Sequence, residues 1–114
     1  MMTIQHKKNN AGIEHVVFEG DLDYHVSSEL RLALGELTEN QAVKILLDFE
    51  KVHYIDSSGI AAFVELHQKI RRASGKLVFV NLPENVKQVF ELAKLHLFFP
   101  IAGSEKEALT ILRS

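Results

Sequence analysis

Apolar residues recur with two different periods along this chain, and the switching between them sets the expected architecture. Thr3 to Lys7 reads as a weak opening strand, ended by Asn9-Asn10-Ala11-Gly12, residues that favour a turn. Ile13 to Glu19, carrying Val16, Val17 and Phe18, predicts a second strand, antiparallel to the first across that turn. Gly20-Asp21-Leu22-Asp23 breaks the strand pattern. From about Val26 the spacing becomes helical, with Val26, Leu30, Ala33, Leu34 and Leu37 separated by polar residues. Asp23 and Ser27 both have side chains fit to cap its start.

Val43 to Phe49 is nearly continuous apolar sequence, as in a central strand covered on both faces. A second helix follows, with Phe63, Leu66 and Ile70 as its stripe, Ile60 and Ala62 alongside, and Ser74-Gly75 at its end. Leu77 to Val80 predicts another buried strand. Asn81-Leu82-Pro83 then turns into a third helix whose face is Val86, Val89, Phe90 and Ala93, with the proline in its first turn. Phe98 to Ile101 is a candidate edge strand. Ser104 and Glu107 form a capping-box pattern opening a last helix, with Ala108, Ile111 and Leu112 facing inward. The order β-β-α-β-α-β-α-β-α argues a single α/β domain over residues 1–114, with a mostly parallel sheet, an antiparallel first strand and right-handed crossovers.

Composition narrows the function classes. The 114 residues carry 13 basic and 15 acidic side chains, a net charge of -2, without the basic patch or stripe that nucleic-acid binding needs. There are no cysteines, which excludes disulfides and thiolate metal sites. The polar residues Met1 to Asn10 do not resemble a signal peptide, and no apolar run approaches the ~20 residues of a membrane helix. A cytoplasmic location without direct membrane insertion is the expectation.

The chemistry concentrates at Tyr54-Ile55-Asp56-Ser57-Ser58-Gly59-Ile60, between an apolar strand and an amphipathic helix. Two hydroxyls, a carboxylate and a glycine there meet free backbone N–H groups and the positive end of the helix dipole, a setting hospitable to phosphate. Helix capping alone accounts for one of these side chains; three candidates before a glycine exceed what a cap requires. Asp23, Asp56 to Gly59 and Asn81 to Pro83 all fall where strands end and helices begin, and are expected to share one edge.

Other chemistries find less support. A serine hydrolase would use Ser57 or Ser58 as nucleophile, His25 or His53 as base and Asp23 or Asp56 as orienter, but the G-x-S-x-G elbow is absent. The six histidines, His6, His15, His25, His53, His67 and His96, show no compact ligand spacing, so no metal and no cofactor is expected. His67 reads as a partly buried packing residue beside its helix stripe. Ser74-Gly75-Lys76 lacks the remaining elements of a phosphate-binding loop, so any phosphate must come from another protein's kinase site. Lys69, Arg71, Arg72 and Lys76 read as a solvated helix end that complements the dipole.

Asp56-Ser57-Ser58-Gly59, Gly20-Asp21-Leu22-Asp23, Ile45 to Phe49 with Val52 to Gly59, Gly75 to Asn81 and Val86 to Leu97 together resemble the STAS family, named for sulfate transporters and anti-sigma factor antagonists. The likeness covers nearly the whole chain, and the serine pair resembles that of the stand-alone bacterial antagonists. That resemblance implies a non-enzymatic protein that binds an anti-sigma factor serine kinase when unphosphorylated. It further implies release on phosphorylation and resetting by a serine phosphatase. By position the acceptor is Ser57, with Ser58 as the alternative that local physics does not separate. Asp23, Asp56, Ser58, Gly59, Asn81 and Pro83 fall in the implied partner surface. Ala61 departs from the pattern, since many relatives carry a second glycine there. A STAS subunit of a transporter or signalling complex, in lipid transport or a stress-signalling scaffold, is the alternative role.

Overall fold

Strands and helices alternate as the periodicity predicts, in a computed structural model that describes residues 2–39 and 43–114. The strands are β1 (Met2–Lys8), β2 (Glu14–Leu22), β3 (Lys44–Ile55), β4 (Lys76–Val80) and β5 (Ile101–Ala102). The helices are α1 (Ser27–Glu39), α2 (Ser57–Arg72), α3 (Glu84–Leu92) and α4 (Glu105–Arg113). The five strands lie side by side in sequence order. β1 runs antiparallel to β2, and the β2–β3, β3–β4 and β4–β5 pairs are parallel. Because each parallel strand is laid down on the same side of its predecessor, right-handed crossovers send α1, α2 and α3 to one face. The chain leaves β5 over the opposite face, where α4 packs on β3, β4 and β5.

Side-chain alternation divides the core between those faces. Val16, Phe18, Ile45, Leu47, Leu77 and Phe79 meet Leu30, Leu34, Phe63, Leu66 and Phe90 of the three-helix layer. Leu46, Val78 and Val80 meet Ala108 and Leu112 of α4. Phenylalanines dominate the larger layer: Phe49 lies 5.2 Å from Phe63, Phe79 lies 5.4 Å from Phe90, and Phe79 stacks on Phe99 at 4.9 Å between ring centroids. Edge-to-face and offset contacts of this kind add to the simple burial of their area.

Several boundaries differ from those read in the sequence. β2 does not stop at Gly20 but runs through Asp21 to Leu22, and β3 continues six residues past Phe49 to Ile55. The β2–β3 register shifts between Val17 and Glu19 and again between Gly20 and Asp21. Each shift inserts a residue into β3, so its core-facing positions are Ile45, Leu47, Phe49, Val52 and Ile55. That change from steps of two to steps of three hides the strand from a search for alternation. β5 is Ile101–Ala102 rather than Phe98 to Ile101, because Leu95–Leu97 forms a 3-10 turn and Phe98 is exposed. Pro83 is the N-cap of α3 rather than a residue of its first turn, and Ala93 is an exposed C-cap rather than part of the buried face.

β3 is long and β4 is short, so the sheet is stepped. Val80, the last residue of β4, pairs with Asp48, and beyond that level β3 has a strand on its β2 side only. The overhanging end of β3 carries the chain up to α2.

Candidate functional site

The overhang ends at Asp56, which caps α2 from an extended backbone conformation. Its Oδ1 accepts the N–H groups of Ser58 at 2.9 Å and Gly59 at 3.2 Å. Its Oδ2 accepts the N–H of Tyr24 at 3.0 Å, across a separation of 32 residues. One carboxylate thus closes the first turn of α2 and also ties it to the segment following β2. Its N–H reaches the Leu22 carbonyl at 3.3 Å, which brings the ends of β2 and β3 together.

Gly59 completes that junction. A Cβ there would lie 2.4 Å from the Leu22 carbonyl oxygen and 2.9 Å from Ile55, so only glycine lets the helix seat against β2. Gly59 is buried, and its contribution to a surface is therefore to position its neighbours. Asp23 caps a 3-10 turn, Tyr24–Val26, by accepting the His25 N–H at 3.0 Å. Ser27, the other candidate cap, instead donates its hydroxyl to the Tyr24 carbonyl at 2.9 Å.

The two serines are not equivalent. Ser57 is exposed in the first turn of α2, whereas Ser58 is half-buried. The side chains proposed for a hydrolase do not assemble. Among the described residues no hydrogen bond joins either serine to His25 or His53, and the Asp56 carboxylate is occupied by three backbone N–H groups.

Asp23, Asp56, Ser57, Ser58 and Gly59 therefore come together at one edge, and the stepped sheet separates Asn81 from them. Asn81 takes a left-handed backbone conformation, φ 61°, and donates its side-chain N–H to Asp48 Oδ1 at 3.2 Å. Asp48 precedes Ile55 by seven residues, roughly 20 Å along β3 at the usual strand rise. Pro83 lies nearer, because Asn85 of α3 donates to the His53 carbonyl at 2.7 Å and draws the start of that helix towards the end of β3. Two aromatic rings border the edge: Tyr54, which opens the motif read in the sequence and is 50% exposed, and Tyr24, 73% exposed, which sequence reasoning did not find. An exposed tyrosine has no periodic signature, and the role of Tyr24 in the site runs through its backbone N–H, which every non-proline residue shares.

His67 packs as expected, its ring 5.1 Å from that of Phe99. Burial, and secondarily the Arg71 guanidinium, hold its pKa below the usual histidine value.

The STAS domain model matches residues 6–108 of this sequence. The chain belongs to the STAS domain family. It is 26% identical over 104 residues to the anti-sigma F factor antagonist of Paenibacillus polymyxa, covering 90% of this chain and 89% of that protein. An anti-sigma factor antagonist from Mycobacterium paratuberculosis has the same fold, with a TM-score of 0.90 at 20% identity over 100% of this chain and 96% of that one. So does the Bacillus anti-sigma factor antagonist SpoIIAA. Its unphosphorylated form matches with a TM-score of 0.74 at 19% identity, covering 98% of this chain and 99% of that one. Its phosphorylated form matches with a TM-score of 0.73 at 21% identity, covering 97% and 100%. Among the described residues no helix is long and apolar enough to cross a membrane.

Proposed function

We propose that this STAS protein is an anti-sigma factor antagonist. In this reading the edge formed by Asp23, Tyr24 and the first turn of α2 binds a serine-kinase anti-sigma factor in the unphosphorylated state. The kinase phosphorylates Ser57 and is released, and a serine phosphatase restores the binding state. The observation that carries the proposal is the exposed Ser57 hydroxyl in the first turn of α2, beside a carboxylate already committed to backbone N–H groups. The relatives' names supply the partner class, and the burial of Ser58 relative to Ser57 favours Ser57 as acceptor.

Electrostatics supports a local switch rather than a refolding. A phosphoryl group brings a charge of about −1.5 to −2. The helix N-terminus favours it by ~0.3–2 kcal/mol, whereas repulsion from a carboxylate ~6 Å away opposes it by ~1.4 kcal/mol in water, rising to ~5 at an effective dielectric of 20. The two terms oppose each other at the first turn of α2, so phosphorylation need not refold the domain, and its effect falls on the face that the partner meets. The experiment is incubation with a candidate cognate kinase and Mg-ATP, followed by intact-mass and peptide mass spectrometry. A single phosphate on Ser57 supports the proposal. No phosphate from a kinase shown to be active on another substrate refutes it.

A further inference from the structure

A cavity of about 280 Å³ lies at the far end of α2, where β4 begins. His67, Ile70 and Arg71 of α2, Leu77 of β4, Pro100 before β5 and Ile111 of α4 line it. Successive residues of a strand direct their backbone groups to alternate neighbours. Lys76 donates its N–H to Val43 on the β3 side at 2.7 Å, and Phe79 donates to Pro100 on the β5 side at 2.9 Å. Leu77 therefore turns its N–H and C=O towards the β5 side. There β5 pairs only with Phe79 and Val80. To continue the ladder, residue 100 would have to donate an N–H to the Leu77 carbonyl, and proline has none. Among the described residues neither the Leu77 N–H nor its C=O has a hydrogen-bond partner, and they lie at the cavity on a residue 2% exposed, where a backbone donor and acceptor need partners.

The other walls show what kind of partner fits. Ile70, Ile111 and the Leu77 side chain are apolar. Among the described residues the Arg71 guanidinium has no carboxylate within ion-pair distance, while the Lys76 ammonium is taken up by the Ser114 carbonyl and hydroxyl. We propose that this cavity binds a small carboxylate bearing an amide and an apolar side chain. That chemistry is shared by an N-acyl amino acid and the C-terminal residue of an extended peptide. The ligand amide would pair with the Leu77 N–H and C=O, its carboxylate would face Arg71, and its side chain would lie on Ile70 and Ile111. His67, neutral near pH 7 because of its burial and of Arg71, reports the event. A carboxylate beside Arg71 offsets the guanidinium and moves the His67 titration upward.

The test is an NMR titration of the isotopically labelled full chain with N-acetyl-leucine, N-acetyl-leucinamide and a tetrapeptide ending in a free leucine carboxylate. The expected result is saturable shifts at the Leu77 amide and the His67 ring, with the acid binding at least about tenfold tighter than its amide. Arg71→Ala should abolish that preference. Pro100→Val, which supplies the missing N–H to Leu77, should weaken the acid. A tetrapeptide tighter than N-acetyl-leucine identifies a peptide C-terminus, and one equal or weaker identifies a free N-acyl amino acid. No saturable shift with any probe up to ~10 mM overturns the proposal. So do equal affinities for acid and amide, shifts confined to other surfaces, or a Pro100→Val protein that binds unchanged.

Discussion

Replacing Asp56 with alanine removes three hydrogen bonds at once, two within α2 and one to the segment that follows β2. The cap is worth about 1 kcal/mol. The Tyr24 bond is exposed and competes with water, so it adds about 0.5–1 kcal/mol. Asp56→Ala should therefore lower the unfolding free energy by about 1.5–2 kcal/mol in total. Asparagine separates the parts: it still accepts from Ser58 and Gly59, but its amide nitrogen cannot accept from Tyr24. Asp56→Asn should accordingly cost only about 0.5–1 kcal/mol. Urea denaturation followed by circular dichroism reads both values, with an unchanged slope showing that the same surface unfolds. Hydrogen exchange then assigns the losses. The Tyr24 N–H should exchange faster in both variants, and those of Ser58 and Gly59 only in the alanine variant. An Asp56→Ala protein within about 0.5 kcal/mol of the parent would refute the account, as would an asparagine variant as unstable as the alanine one.

Three further outcomes follow from other residues. Gly59→Ala should destabilise by about 2–3 kcal/mol in urea denaturation, because its methyl group would collide with the Leu22 backbone; an undisturbed midpoint would show that α2 can lift away without cost. The depressed His67 pKa means that the folded state resists protonation. Its stabilising contribution is complete above the unfolded-state value of about 6.5 and is lost as pH falls through the lower folded-state value. His67→Gln should reduce the acid-side slope of stability by no more than about 1.4 kcal/mol per pH unit; an identical slope would count against the assignment. Ser57→Ala should bind the kinase and resist phosphorylation, whereas Ser57→Asp should bind more weakly, by a factor smaller than that of phosphate, in a calorimetric titration; equal affinities would remove the electrostatic basis of the switch.

The architecture was legible because its signals are periodic. Phe63, Leu66 and Ile70 mark one face of α2, Ser104 and Glu107 mark the start of α4, and the nearly unbroken Ile45-Leu46-Leu47 run marks a strand buried on both sides. The upper half of β3 was not legible, since two register shifts replace alternation there with steps of three. The same half-strand determines the site. Asp56, Ser57 and Asp23 were found as junction residues, and they do converge. Asn81 was grouped with them because it also follows a strand, but strand length, which local sequence does not report, leaves it beside Asp48. The tie between Asp56 and Tyr24 had no signal at all, because its donor is a backbone N–H.

The overhang of β3 beyond β4 also bears on how the protein behaves at high concentration. A row of unpaired strand groups is a template on which a second chain can polymerise. Here a side chain of the same molecule covers part of the exposed side. Asn85 Nδ2 occupies the His53 carbonyl at 2.7 Å. Lys51 and His53 place polar groups along the rest of it. Asn85 thus fills a place that a second strand would otherwise take, and the hydrogen bond that tethers α3 also blunts the projecting edge of β3.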